Sequence, residues 1–177
     1  MNSVLEKFQK LAEEAEIGKA TLRSKEAYMK LARNQREIRS IQNLNRGLES
    51  VGRMQIGQLV TFEYEAKSAD ELPYWDRFPL VYITKVHRDG WTGMNLHYLH
   101  PRMRARLFYE MDSRNINIID NDLSNLCTKR YLADHVVVEP RKFPKDLWEI
   151  AIQLPFENFE NKTNNYVWRQ TSMKKKK

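Results

Sequence analysis

His97 and His100 are the residues of this chain whose types and spacing come closest to a metal site. The stretch Trp91 to Leu99 is rich in strand-forming residues, and side chains three apart on a strand point to opposite faces of the sheet. No carboxylate or cysteine lies within four residues to complete a ligand set. We therefore expect structural, hydrogen-bonded histidines near a strand end, with no metal and no cofactor.

Cys127 is the single cysteine, and it follows Leu123 and Leu126 on a predicted short helix. A lone cysteine in such a position is typical of a small buried apolar residue and not of a nucleophile. One cysteine also excludes an intramolecular disulfide and any zinc site built mainly from thiolates, and it fits a reducing compartment.

The segment Glu65-Ala66-Lys67 has the Glu-x-Lys half of a metal-dependent nuclease motif, in which carboxylates hold the metal and the lysine assists the attacking water. The other half requires an aspartate upstream, but the first aspartate of the chain is Asp70. Phosphate-binding and hydrolase glycine motifs are also missing from the sequence. We predict a protein that is not an enzyme and keep the nuclease as the third hypothesis.

Basic residues suggest a different chemistry, because 30 Lys and Arg against 23 Asp and Glu give a formal net charge of +7. Clusters of this kind bind phosphates nonspecifically and release counterions. Basic helix faces also arise without any ligand, since arginine and lysine are good helix formers. Known DNA-reading and RNA-reading motifs are absent, so we expect nonspecific contacts. The candidate contacts are Arg33, Arg36, Arg39, Arg102, Arg106, Lys174, Lys175, Lys176 and Lys177.

The first 52 residues are predicted to form a basic helical arm. One helix runs from about Ser3 to Ile17, Gly18 interrupts it, and a second runs from about Thr21 to Leu48. The apolar stripe of the second helix is thin, and a narrow stripe cannot stabilise a long solitary helix. We therefore predict that the stripe contacts a neighbouring subunit. Its residues are Leu31, Ile38, Ile41 and Leu48.

Residues 53–157 are predicted to form an α+β core. Alternating apolar residues indicate a strand in GQLVTFEY, and two runs rich in strand-forming residues, from Leu80 to Val86 and from Trp91 to Leu99, indicate two more. Asp89-Gly90 supplies the positive φ angles of the hairpin turn between the last two strands. The intervening segment ADELPYWDRFPL is expected to be an ordered loop in which Tyr74, Trp75 and Phe78 are buried. Asp76 and Arg77 are expected either to pair with each other or to cap the backbone locally.

The second half of the core is predicted to begin with a helix at Pro101, followed by a short helix from Leu123 to Leu132. A strand from His135 to Glu139 should end at Pro140. Residues 145–154 alternate in a way that favours a strand, with a helix as the alternative. Residues 158–177 are predicted to be a polar tail, disordered unless an acidic surface orders its terminal lysines.

Four segments together resemble a family of small structural proteins of tailed, chiefly contractile-tailed, bacteriophages. They are GQLVTFEYEAKSADELPYWDRFPLVYI, DGWTGMNLHYLHPRMRARL, DLWEIAIQLPFENF and VWRQTS, and the resemblance extends over about residues 53 to 172. It implies a virion or virion-assembly protein with a small antiparallel SH3-like β-barrel, or a bent sheet with short covering helices.

The leading hypothesis is therefore a non-enzymatic structural component of a phage virion, located in the tail, the baseplate or the head-to-tail junction. Its expected partners are other virion subunits in a symmetric multi-copy assembly and, nonspecifically, nucleic acid, with no membrane partner. The expected location is the virion, after synthesis in the host cytoplasm. The alternative hypothesis is a DNA-binding protein that contacts or protects the packaged genome.

Overall fold

The computed structural model describes residues 48–114, 122–154 and 156–174. Both predicted arm helices lie outside these ranges, except for Leu48 at the end of the second. Within the described residues, the elements are helices and mostly antiparallel strands, which confirms the α+β prediction.

Six strands form the main sheet. In chain order they are β1 (Glu49–Ser50), β2 (Leu59–Tyr64), β4 (Leu80–His87), β5 (Gly90–Asn95), β6 (Thr128–Leu132) and β7 (Val136–Phe143). Their order across the sheet is β1-β7-β2-β4-β5-β6, and neighbouring strands are antiparallel. In the described part of the chain, β1 and β6 do not pair, so the sheet is open. Of the two predicted forms, a barrel or a sheet with short covering helices, the barrel is therefore wrong.

A second sheet of two strands joins distant parts of the sequence. It consists of β3 (Trp75–Asp76) and β8 (Phe159–Glu160), which are antiparallel. The helices are α1 (Pro101–Arg114), α2 (Asp122–Cys127), α3 (Trp148–Ala151) and α4 (Asn164–Lys174), and 3₁₀ turns occupy Leu96–Tyr98, Ala133–His135 and Lys145–Leu147.

Alternating residues of β2 enter two apolar clusters, because successive side chains on a strand point to opposite faces. Leu59 belongs to the larger cluster, which includes residues of all four helical segments. Phe62 and Tyr64 belong to the smaller cluster, in which Phe62 makes edge-to-face contacts with Trp91 and Tyr131 at centroid distances of 5.3 and 5.2 Å. Both faces of the central strands are therefore buried.

The predicted hairpin between β4 and β5 is confirmed, but its turn differs. His87 pairs with Gly90, so the two loop residues are Arg88 and Asp89, and neither has a positive φ. Gly90, with φ of 153°, begins β5. A Cβ at this position would lie 2.0 Å from the Tyr131 carbonyl oxygen of β6, so the close approach of β6 requires the glycine.

Pro140 does not end a strand as predicted. β7 continues through it to Phe143, and the pairing of β7 with β2 shifts register between Thr61 and Glu63, opposite the segment that contains Pro140. A bulge at this point accommodates a residue that has no N–H to donate.

Two further secondary-structure predictions are corrected. Residues 145–151 are helical, which was the alternative to the favoured strand, because Leu147, Ala151 and Leu154 all enter the larger cluster at helical spacing. The predicted helix from Leu123 to Leu132 ends at Cys127, and its second half is β6, whose residues pair with β5.

The predicted polar tail is ordered from residue 158 to residue 174. β8 pairs with the aromatic loop, and α4 buries Val167 completely in the larger cluster. Asn161, with φ of 67°, reverses the chain between the two elements, and asparagine is one of the few residues that tolerate this conformation. Over the described residues, none of the helices is long and apolar enough to cross a membrane.

Candidate nucleic-acid interface

Helix α1 places its three N-terminal arginines in two different environments. Residues two apart on a helix are separated by about 200°, whereas residues four apart share a face. Arg102 and Arg106 are accordingly both exposed, and Arg104 between them is 1% exposed. Two of the three arginines are thus on the surface, as a nucleic-acid contact requires, and the third has a structural role.

Arg104 is held by main-chain acceptors and by one carboxylate. Its Nε donates to the Leu99 carbonyl at 2.8 Å, and its terminal nitrogens donate to the carbonyls of His97 and Ile152 at 3.4 Å. The guanidinium also forms an ion pair with Glu157, whose side chain is 2% exposed. A buried charge is tolerated only with such partners, so this network fixes the first turn of α1 against residues 152–157.

Asp76 and His97 form a second buried pair. His97 Nδ1 lies 2.8 Å from Asp76 Oδ2, which also accepts a hydrogen bond from Asn95 Nδ2 at 3.0 Å. The other carboxylate oxygen accepts from the backbone N–H of Phe78 at 3.1 Å. The two residues are 3% and 1% exposed, so they join the aromatic loop to the turn that follows β5.

Helix α4 covers these two pairs. Trp168 Nε1 donates to the His97 carbonyl at 2.9 Å, and the Thr171 hydroxyl donates to the Tyr98 carbonyl at 3.0 Å. The Arg104 guanidinium carbon also lies over the Trp168 indole, 5.7 Å from the centre of the ring. We call Asp76, His97, Arg104, Glu157 and Trp168 the polar junction.

His100 contacts the same indole, with ring centres 5.2 Å apart and an edge-to-face arrangement. Burial, together with the charges of Arg104 and Arg102, lowers the pKa of His100. His97 and His100 therefore have separate partners, Asp76 and Trp168, and within the described residues no three metal-binding side chains cluster.

Cys127 is completely buried, and burial raises the pKa of its thiol to about 12. The burial confirms the prediction of a small buried apolar residue. With a raised pKa, the side chain is a protonated, unreactive thiol at neutral pH. Asp76 and Arg77 do not pair with each other, but Asp76 caps the backbone locally, which was the other predicted arrangement, because its Oδ1 accepts a hydrogen bond from the Phe78 N–H. Asp76 binds His97, and Arg77 forms a hydrogen-bonded ion pair with Glu63 at 2.9 Å.

Of the predicted interface residues, Leu48 is described, and it is 5% exposed in the larger cluster of its own chain. Lys174 ends α4. The remaining predicted contacts lie outside the described residues: Leu31, Ile38 and Ile41 of the apolar stripe, Arg33, Arg36 and Arg39 of the arm, and Lys175, Lys176 and Lys177 of the terminus.

The sequence matches the family described as phage T4 terminal DNA protecting protein over residues 18–175, which is most of the chain. The chain belongs to this family. The match includes most of the predicted basic arm, together with α1 and α4. Neither the curated proteins nor the solved structures contain a match.

Membership in the terminal DNA protecting family confirms the prediction of a phage protein. It does not support a tail, baseplate or head-to-tail location in particular. The polar junction of this family member includes a residue from each of the four segments on which the sequence resemblance rested: Asp76, His97 and Arg104, Glu157, and Trp168. These four segments therefore pack against one another in the folded chain.

Sequence reasoning missed the role of α4, because its polar composition suggested a disordered tail. One signal was available: Val167 and Thr171 are four residues apart and both face the core, with Trp168 beside them. Thr163 is a second signal, since its side chain accepts a hydrogen bond from the Tyr166 N–H at 3.3 Å, as helix N-caps do.

Proposed function

We propose that this protein binds and protects the ends of linear phage DNA and does so without enzymatic activity. The observation that carries the proposal is the match of residues 18–175 to the terminal DNA protecting family. The alternative formed from the sequence, a protein that protects the packaged genome, thus has better support than the structural tail component.

Exposed basic residues supply the means of binding. Arg102 and Arg106 lie on one face of α1, and the first turn of that helix has no acidic residue. We propose that they contact phosphates, together with Arg33, Arg36 and Arg39 of the arm and the C-terminal lysines. Each phosphate neutralised on duplex DNA contributes about −0.9 to the slope of log K against log salt concentration.

An exonuclease assay tests protection. A linear duplex labelled at its ends should survive digestion longer with the protein than without it, and a stoichiometry near the number of ends should suffice. A duplex of equal length whose ends are closed by hairpins serves as the binding control. Equal affinity for open and closed duplexes would contradict end recognition, and shortening of the labelled strand by the protein alone would contradict the non-enzymatic proposal.

We also propose that the protein resides in the virion, where it would accompany the DNA ends and contact neighbouring subunits through the arm. Mass spectrometry of purified particles tests this location. Absence of the protein from particles that contain their full genome would contradict it.

A further inference from the structure

The residues from Asn161 to Lys177 include six basic side chains and no acidic one. The segment therefore contributes six positive charges and no negative one. Its helix α4 buries one face in the polar junction, which leaves the opposite face toward solvent.

That exposed face has an aromatic residue between two cations. Tyr166 is 42% exposed, and the Nζ atom of Lys162 lies over its ring, 5.0 Å from the centre. Arg169, three residues beyond Tyr166, shares its helix face and is exposed. We call Lys162, Tyr166 and Arg169 the basic–aromatic stripe.

The Tyr166 ring is supported from below by the core. It meets Tyr74 edge to face, with ring centres 6.1 Å apart, and Tyr74 in turn contacts Tyr98 and Phe159. The Thr163 N-cap and the junction contacts of Trp168 hold the helix that presents it. The ring is therefore held in place before any ligand binds, which lowers the entropy cost of binding.

A free duplex end differs from the interior in one chemical respect: it exposes the flat face of its terminal base pair. Stacking of a base on an aromatic side chain is worth about 1–3 kcal/mol and does not depend on base identity. Nonspecific phosphate contacts alone cannot make this distinction, because ends and interior carry the same backbone.

We propose that the basic–aromatic stripe recognises the DNA end, with Tyr166 stacked on the terminal base pair and with Lys162 and Arg169 bound to the adjoining phosphates. The Lys162 ammonium, now over the ring, would move to a phosphate as the base takes its place. This inference rests on the proposed function and assigns end recognition to residues that the sequence had not indicated.

The test compares binding of the full chain to two blunt duplexes of identical sequence, one with free ends and one with ends closed by hairpin loops, over a range of salt concentrations. Tyr166→Ala should lose at least fivefold of the preference for free ends and keep the affinity for the closed duplex, since a stacking energy of about 1 kcal/mol or more corresponds to that factor. Tyr166→Phe should retain the preference.

The cations are tested by the double variant Lys162→Gln with Arg169→Gln. Its salt slope should decrease in magnitude by about 1.8 on the free-ended duplex, or about 0.9 for each lost phosphate contact. The matched control removes two charges from exposed residues of the β4–β5 hairpin, Lys85→Gln with Arg88→Gln, and should leave the slope unchanged.

The outcomes separate the two proposals. A wild-type protein that binds open and closed duplexes equally would overturn the proposed function. A wild-type preference for free ends that Tyr166→Ala retains would overturn the stripe alone. Loss of binding to both duplexes in Tyr166→Ala, with unfolding at the wild-type temperature, would also overturn stacking and assign Tyr166 to general DNA affinity.

Discussion

The two faces of helix α4 use similar residue types for opposite purposes. On the buried face, Trp168 lies against Arg104 and donates to the His97 carbonyl, so an aromatic ring and a cation stabilise the fold. On the exposed face, Tyr166 lies against Lys162, and the same pairing of ring and cation is open to solvent. Burial, and not residue type, distinguishes the structural pair from the candidate binding pair.

Substitutions in the polar junction should therefore lower the stability of the fold, and substitutions in the basic–aromatic stripe should weaken DNA binding.

The largest effect is expected for Arg104→Ala, which leaves the Glu157 carboxylate buried and unpaired. Loss of one partner from a buried ion pair costs about 3–5 kcal/mol. Urea unfolding measures this cost, and Arg102→Ala on the exposed face of the same helix should change stability by no more than about 0.5 kcal/mol. Equal effects of the two variants would contradict the assignment of the two faces.

Trp75→Ala should cost about 3 kcal/mol, because this indole is 8% exposed in the smaller apolar cluster and its removal leaves a cavity. Phe78→Ala should cost less, since Phe78 is only half-buried. Thermal unfolding of the two variants measures which one loses more stability. The reverse order would show that the aromatic loop packs differently from the structure described.

His97→Gln should cost about 1–3 kcal/mol, since the buried Asp76 carboxylate would lose the imidazole N–H. Tyr166→Ala of the stripe should cost less, about 0.5–1.5 kcal/mol, because the edge-to-face contact with Tyr74 is the ring's packing contact with the core. Urea unfolding of both variants measures the contrast. A comparable loss of stability in the two would remove the distinction between junction and stripe.

The smallest effect is a pH dependence from His100. The pKa of His100 is lowered from 6.5 in the folded chain, so the unfolded chain takes up the proton first as pH falls. Stability should decrease as pH drops below about 6.5 and level off below the native pKa, with no contribution from His100 at higher pH. His100→Gln should flatten this part of the stability curve, which unfolding measurements between pH 5 and pH 8 would reveal. A curve identical to that of the wild type would contradict the assigned shift.

The sequence by itself determined the elements whose partners are near in the chain. The strand Leu59–Tyr64 follows its period-two pattern, and the strand Leu80–His87 follows its content of strand-forming residues. The β4–β5 hairpin and the start of α1 at Pro101 depend on turn and capping chemistry within a few residues. The burial of Cys127 and the structural role of His97 also followed from local residue type and spacing.

Tertiary structure alone decided the rest, because the deciding partners are distant in sequence. β3 is a strand because Phe159–Glu160 pairs with it. β7 continues through Pro140 because its pairing with β2 has a bulge at that point. Residues 145–151 are helical because their apolar side chains enter the larger cluster. Residue type alone does not distinguish one arginine of α1 from another, or one aromatic residue of α4 from another. Only packing against Glu157 and the His97 carbonyl separates Arg104 and Trp168, which stabilise the fold, from Arg102 and Tyr166, which remain exposed for a ligand.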